Sequence, residues 1–212
     1  MFPRGKHITV LDIGVGANCI YPLLGTKEYG WHFIGSDIDL HAVKIVNQLV
    51  MANGLQKMIE CRHQPNALKV FKGIIKEHEV IDVSMCNPPF HSSAEAANAG
   101  TERKWKNLGH QKQNTLNFGG QHNELWCKGG ELGFITQMIE ESVEFKQRCL
   151  WFTTLVSKSE NLKSIYFMLN KVGATVVNTI NMGQGNKVSR LVVWTFLNDS
   201  EREQWCAKRF KA

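Results

Sequence analysis

No segment of this 212-residue chain comes near the roughly 18–20 consecutive apolar residues needed to span a bilayer. The opening residues, Met1-Phe2-Pro3-Arg4-Gly5-Lys6, are basic but have no apolar run behind them, so no secretory signal is expected. No two cysteines stand in CxxC spacing: Cys127 and Cys149, the closest of the six, are 22 positions apart. That argues against a redox motif, a thiolate metal site or a disulfide framework. It favours small buried hydrophobes in a reducing cytoplasm. The eight histidines lack HxxxH spacing, so no metal is assigned, and His41, His63 and His78 read as surface or locally satisfied residues. There is no internal repeat and no low-complexity tract.

What is present is an ordinary globular composition with one bias. Apolar residues make up 43% and charged residues 21% of a length that suits one α/β domain better than two. The net charge of +6 favours an anionic partner such as nucleic acid, although many basic proteins bind none.

Apolar runs and helical periods alternate along the chain. Residues 8–12 read as a buried strand, 18–25 as a helix and 31–36 as a second strand. Asp39 caps a helix reaching Asn53-Gly54, with Leu40, Val43, Val46 and Val50 on one face. Strands are expected at 58–63 and 80–86, a helix at 130–145, and a strand at 150–156 that places Trp151 in the core with Trp194. A helix at 162–172 stops at Gly173. Residues 174–180 and 191–197 then pair as an antiparallel hairpin around Gly183-Gln184-Gly185-Asn186, before a last helix opening on a Ser200/Glu203 capping box. Alternation that closes on a hairpin predicts an α/β fold: a doubly wound, mostly parallel seven-stranded sheet with helices on both faces. Residues 91–125, poor in apolar side chains, read as a mobile functional loop within a single domain spanning 1–212.

Two strand ends carry the chemistry. After the first strand, Asp12-Ile13-Gly14-Val15-Gly16-Ala17-Asn18 lets the backbone turn sharply and a ligand lie against the main chain. Cys19 stands where a dinucleotide fingerprint needs its third glycine, so the turn suits a nucleoside cofactor without a pyrophosphate. Asp37, 21 residues after Gly16, ends the second strand, where a carboxylate can accept both ribose hydroxyl hydrogens. Gln64 and Asn66, at the end of the third strand, stand equally as adenine contacts and as loop residues bonded to backbone.

The fourth strand runs into Asn87-Pro88-Pro89-Phe90. Two prolines there fix φ and lack N–H groups, which makes a stiff platform beside the glycine turn. A delocalised amine is a poor nucleophile. Acceptors at the Asn87 carboxamide and the Pro88 carbonyl would localise its lone pair, and Phe90 offers a face on which a base stacks.

These residues carry a resemblance. Asp12 to Asn18 with Asn87 to Phe90 resembles the class I amino-methyltransferases. The longer run Leu11-Asp12-Ile13-Gly14-Val15-Gly16-Ala17-Asn18-Cys19-Ile20-Tyr21-Pro22-Leu23-Leu24-Gly25 is similar to the RlmF-type 23S ribosomal RNA adenine-N6 methyltransferases. So are Asn117-Phe118-Gly119-Gly120, Gly129-Gly130-Glu131 and the late Gln184-Gly185 with Arg190. The resemblance implies a Rossmann-like fold and S-adenosyl-L-methionine as cofactor. It also implies N6-methylation of one adenosine in 23S rRNA or the assembling large subunit, by a cytoplasmic monomer without a membrane partner. Asn87, Pro88, Pro89 and Phe90 would serve the target base, and Asp12, Gly14, Gly16, Asn18 and Asp37 the cofactor. The family carries an N-terminal segment that helps bind RNA, and only about seven residues precede the first strand here, so the chain is expected to be a catalytic core lacking that segment.

Arg103-Lys104-Trp105-Lys106 sets cations around an aromatic ring, suited to phosphates and a splayed base, or simply to a solvated loop. Arg190 stands equally as an RNA contact and as a salt-bridge partner. Asn-Pro-Pro-Phe-His also occurs in guanine-N2 rRNA methyltransferases, and Asn-Pro-Pro-Tyr in glutamine methyltransferases of release factors. A non-catalytic RNA-binding module is the remaining alternative.

Overall fold

The computed structural model describes residues 3–89, 127, 129–184 and 187–210. Seven strands form one sheet: β1 (Thr9–Ile13), β2 (His32–Asp37), β3 (Ile59–His63), β4 (Ile81–Cys86), β5 (Cys149–Val156), β6 (Val176–Gln184) and β7 (Lys187–Thr195). The helices among the described residues are α1 (Ile20–Tyr29), α2 (Leu40–Ala52), α3 (Gly130–Ser142), α4 (Leu162–Lys171) and α5 (Asp199–Arg209). The strand order is β3-β2-β1-β4-β5-β7-β6. All pairings from β3 to β5 are parallel, and β7 is antiparallel to both β5 and β6. The doubly wound, mostly parallel sheet with a terminal hairpin is therefore present as expected.

Helices cover both faces because the parallel strands are apolar on both sides. Leu11, Ile34, Ile81, Phe152 and Trp194 pack under Ile135, Met138 and Ile139 of α3 and Ile165 and Leu169 of α4. Phe152 stacks on Trp194 with ring centroids 5.5 Å apart. On the opposite face Val10, Phe33 and Ile59 meet Val43, Val46 and Val50 of α2. Each such aliphatic side chain stabilises the fold by about 1.5–3 kcal/mol relative to exposure. Of the stripe predicted on α2, Val43, Val46 and Val50 are buried, whereas Leu40, at the helix start, is 47% exposed and Ala42 is buried instead. The Asp39 side chain caps the helix by accepting from the His41 backbone N–H at 2.8 Å.

Several expectations shift. The first helix runs through Gly25 to Tyr29, with Gly30 as its left-handed cap. Gly25 is a packing glycine: a Cβ there would lie 2.4 Å from the Phe33 ring. The last helix opens two residues earlier than its sequence suggests, on a capping box formed by Asn198 and Glu201 rather than Ser200 and Glu203. The α3 helix ends at Ser142 and passes into a short 3-10 turn at Val143–Phe145. Trp194 is fully buried, whereas Trp151 is half-buried with the Arg202 guanidinium 5.7 Å over its ring. The hairpin strands are longer than predicted, and Gly185-Asn186 lies outside the described residues.

Candidate active site at the carboxyl edge of the sheet

The chain proceeds from β1 outward to β2 and β3, then returns to place β4 on the other side of β1. The loops leaving β1 and β4 consequently diverge at this switch point, where ligands of open α/β sheets bind. Ile13 is paired with Cys86, so the glycine turn and Asn87-Pro88-Pro89 emerge side by side.

On the β1–β2 side the turn is held by backbone and carboxylate. The N–H groups of Gly14 and Val15 both donate to the Ser36 carbonyl, at 2.8 and 3.0 Å. Gly14 and Gly16 have φ of +72° and +60°, where an L side chain is strained. A Cβ on Gly14 would meet nothing within 4 Å, so the space above it is open to a ligand. Asn18 is exposed beyond the turn, and Cys19, itself left-handed at φ +49°, starts α1 without a side-chain cap.

Asp37 is 5% exposed and links the two strand ends. One of its oxygens accepts from the Gly16 N–H at 2.9 Å and the other from the Asp39 N–H at 2.8 Å, which leaves further lone pairs on both. Burial raises its pKa, and the two backbone N–H groups oppose the shift.

Asp12, 1% exposed, lies beneath the turn, and its Oδ2 has no hydrogen-bond partner. Burial, reinforced by the charge of Asp37, pushes its pKa up to about 7. A buried acceptor left unsatisfied costs about 1–3 kcal/mol, and this oxygen has lone pairs to offer a donor. The folded-state pKa exceeds the unfolded value near 4, so folding retains a proton that the unfolded chain releases. Asp12 therefore lowers stability progressively as pH rises from about 4 to about 7, with no further change above. Thermal melts across that window should show the wild type losing stability relative to Asp12→Asn. Parallel curves for the two proteins would place the Asp12 titration elsewhere.

Gln64 and Asn66 are engaged locally. Gln64 is buried, donates to the Lys72 carbonyl at 2.9 Å and accepts from the Asn66 N–H, while the exposed Asn66 accepts from the Leu68 N–H. The sequence does not single out Ile38, which is 45% exposed directly after Asp37 and offers an apolar face beside that carboxylate. Its signal was an apolar residue between a strand-end acid and a helix cap.

On the β4 side Asn87 is exposed, Pro88 buried and Pro89 half-buried, the arrangement of a platform whose side chain faces out from a fixed backbone. Beyond β5 the hairpin overhangs the edge. Arg190 pairs with Val156, the last residue of β5, and three further pairs, ending at Gln184 with Lys187, continue past it. At ~3.3 Å per residue that is a wall roughly 10 Å tall. Arg190 sits half-buried at its base, opposite Asn181 on β6. Phe90, Arg103, Lys104, Trp105 and Lys106, together with the 91–125 loop, lie outside the described residues. Among the described residues no helix is long and apolar enough to cross a membrane.

Comparison with known proteins agrees with this architecture. Residues 3–198 match a family described as RNA methyltransferase. The "Ribosomal RNA large subunit methyltransferase F" of Pseudomonas putida KT2440 is 54% identical over 211 residues, covering 98% of this chain and 67% of that protein. Its counterpart in Aeromonas salmonicida is 56% identical over 205 residues, covering 96% of this chain and 64% of that protein. The chain thus spans about two thirds of the length of these curated relatives. Among solved structures, the hMettl16 catalytic domain in complex with MAT2A 3'UTR hairpin 1 superposes with a TM-score of 0.75 at 28% identity, covering 91% of this chain and 65% of that one. The N-terminal domain of human METTL16 in complex with SAH gives 0.68 at 25% identity, over 90% and 62%. A match across nearly the whole chain, with relatives more than half identical and a shared fold, leads to one assignment: this chain belongs to the RNA methyltransferase family.

Proposed function

We propose that this chain, as a single catalytic domain, uses S-adenosyl-L-methionine to methylate N6 of an adenosine in large-subunit (23S) ribosomal RNA. The observation that carries the reading is the register of Ile13 with Cys86, which sets a glycine turn with two buried carboxylates against Asn87-Pro88-Pro89. The naming of relatives as large-subunit rRNA methyltransferases supports the substrate, and the sequence resemblance supports adenine N6. The same reading makes it a cytoplasmic monomer acting on rRNA or on the assembling subunit.

The orphaned Asp12 oxygen and the open space above Gly14 fit such a cofactor. S-adenosylmethionine, when bound, supplies a methyl group activated on a sulfonium. Asp37 would accept from the ribose hydroxyls with its remaining lone pairs, and Asp12, once ionised, would accept from the ammonium. Ile38 would offer its apolar side chain to the adenine. Gln64 and Asn66 shape the adenine end through the loop that they brace.

The Asn87 carboxamide oxygen and the Pro88 carbonyl accept the hydrogens of the target amine. They draw its lone pair out of the ring and support the positive charge that develops on nitrogen. Pro88 and Pro89 hold those acceptors rigid, which matters because small misplacements of the reacting atoms cost rate steeply. Phe90 would stack on the target base and Trp105 on a splayed base, while Arg103, Lys104, Lys106 and Arg190 would meet RNA phosphates. Nucleoside mass spectrometry of large-subunit rRNA incubated with the full-length protein and isotopically labelled cofactor should reveal labelled N6-methyladenosine. Label in N2-methylguanosine would transfer the reading to guanine, and no label in any nucleoside would refute it.

A further inference from the structure

We propose that Glu131 is a positioning residue for methyl transfer, holding the turn after β5 in place as the substrate-side wall beside the Asn87 platform. The inference rests on the methyltransferase reading above. Glu131 lies in the first turn of α3 and is 2% exposed. One carboxylate oxygen accepts from the Ser157 backbone N–H at 2.6 Å and from the Ser157 hydroxyl at 2.5 Å. The other accepts from the Lys158 N–H at 3.2 Å and the Asn161 amide at 2.7 Å. Four donors from one five-residue turn converge on a single carboxylate.

The location gives the clamp its significance. Along the carboxyl edge the order is β2 with Asp37, β1 with the glycine turn, β4 with Asn87, and then β5. The cofactor-binding groups occupy the β1–β2 side, so the target base must approach over β4 and β5, where the Ser157–Asn161 turn stands. The chain leaves the described platform at Pro89 and re-enters at Cys127, immediately before the clamp. There the Gly130 N–H donates to the Cys127 carbonyl at 2.9 Å, and the Cys127 thiol to the Gly130 carbonyl at 3.2 Å. Cys127 also lies near enough to Cys86, the residue before Asn87, to influence its ionisation. Glu131, four residues after Cys127, therefore ties the start of α3 to the turn after β5.

A second buried carboxylate with a similar bonding pattern serves as a contrast. Glu141 accepts from the N–H groups of Val70, Phe71 and Lys72 on the loop after β3. It braces the cofactor side of the sheet, at the far end of α3.

The test compares Glu131→Gln, Ser157→Ala and wild type for turnover at saturating RNA, RNA KM, S-adenosylhomocysteine affinity and melting temperature. The carboxamide keeps the shape of Glu131 but turns an NH2 toward donors, so the Ser157–Asn161 turn must shift. The expected result is a kcat roughly 10–100-fold lower, the scale for a displacement near 1 Å, with cofactor affinity within about twofold of wild type. Ser157→Ala, which removes one of the four donors, should show the same pattern in smaller measure. A folded Glu131→Gln protein with lowered melting temperature and wild-type kcat overturns the assignment and leaves a structural brace. If Glu131→Gln does not fold, wild-type kcat in Ser157→Ala overturns it equally. A full-length wild-type protein that binds cofactor but methylates no RNA would refute the methyltransferase reading and, with it, this assignment.

Discussion

Asn87→Ala should retain the cofactor affinity of the wild type and lose roughly 10²–10³-fold in turnover, the scale for removing one preorganised polar partner of a transition state. The change is local. Asn87 is exposed, and Pro88, buried behind it, keeps the backbone in place, so truncation removes an acceptor without opening the core. S-adenosylhomocysteine affinity depends on the other side of the switch point and should stay within about twofold by calorimetry. Single-turnover methylation measures the chemical step. Asn87→Asp, which still presents an oxygen acceptor, should fall between the two. A wild-type rate for Asn87→Ala would show that the amine is activated without the platform.

The second large effect is expected on binding. Asp37→Ala removes the charge-assisted bonds from Gly16 and Asp39, each worth about 1.5–3 kcal/mol, and the acceptor for the ribose, worth about the same. Two consequences follow from different parts of that loss. The ligand-free protein should melt at a lower temperature, because buried N–H groups lose their partner. S-adenosylhomocysteine affinity should fall by roughly 10–150-fold from the ribose contact alone, converting at 1.4 kcal/mol per factor of ten, and further if the turn loosens. Calorimetry showing a lower melting temperature with unchanged affinity would restrict Asp37 to a structural role in the turn.

Asp37 and the two buried acids of α3 show where reading from sequence stops. The position of Asp37 was legible: an acid at the end of the second strand, 21 residues after Gly16, lies in the structure beside that turn. That it also staples the glycine turn was not legible, since the bond to Gly16 depends on how β1 and β2 lie together. Glu131 entered only as part of a resembling motif, with no role attached, and Glu141 gave no signal. In sequence they are acids on a helix, and a helical acid is ordinarily solvated. Their burial and their donors come from turns 26–30 and 69–71 residues away. Gln64 and Asn66 could be read two ways for the same reason, and only the folded loop shows which backbone groups engage their side chains.

Local signals settled what depends on neighbours in the chain: the alternation of strands and helices, the Asp39 cap, the stripe on α2, the glycine turn and the stiff Asn87-Pro88-Pro89 segment. Each rests on backbone dihedral preference or on periodicity, and neither needs a partner distant in sequence. Where those signals were weak, as at Gly25 and the final capping box, packing decided: the Phe33 ring excludes a Cβ, and Asn198 with Glu201 starts the helix earlier. The tertiary structure alone decided the register that sets Ile13 against Cys86, that Asp12 is buried with an unpartnered oxygen, and that the hairpin stands above the edge. Strand order and desolvation are properties of the packed sheet. Residues more than 70 positions apart acquire a shared chemistry only when the loss of water makes their contacts strong.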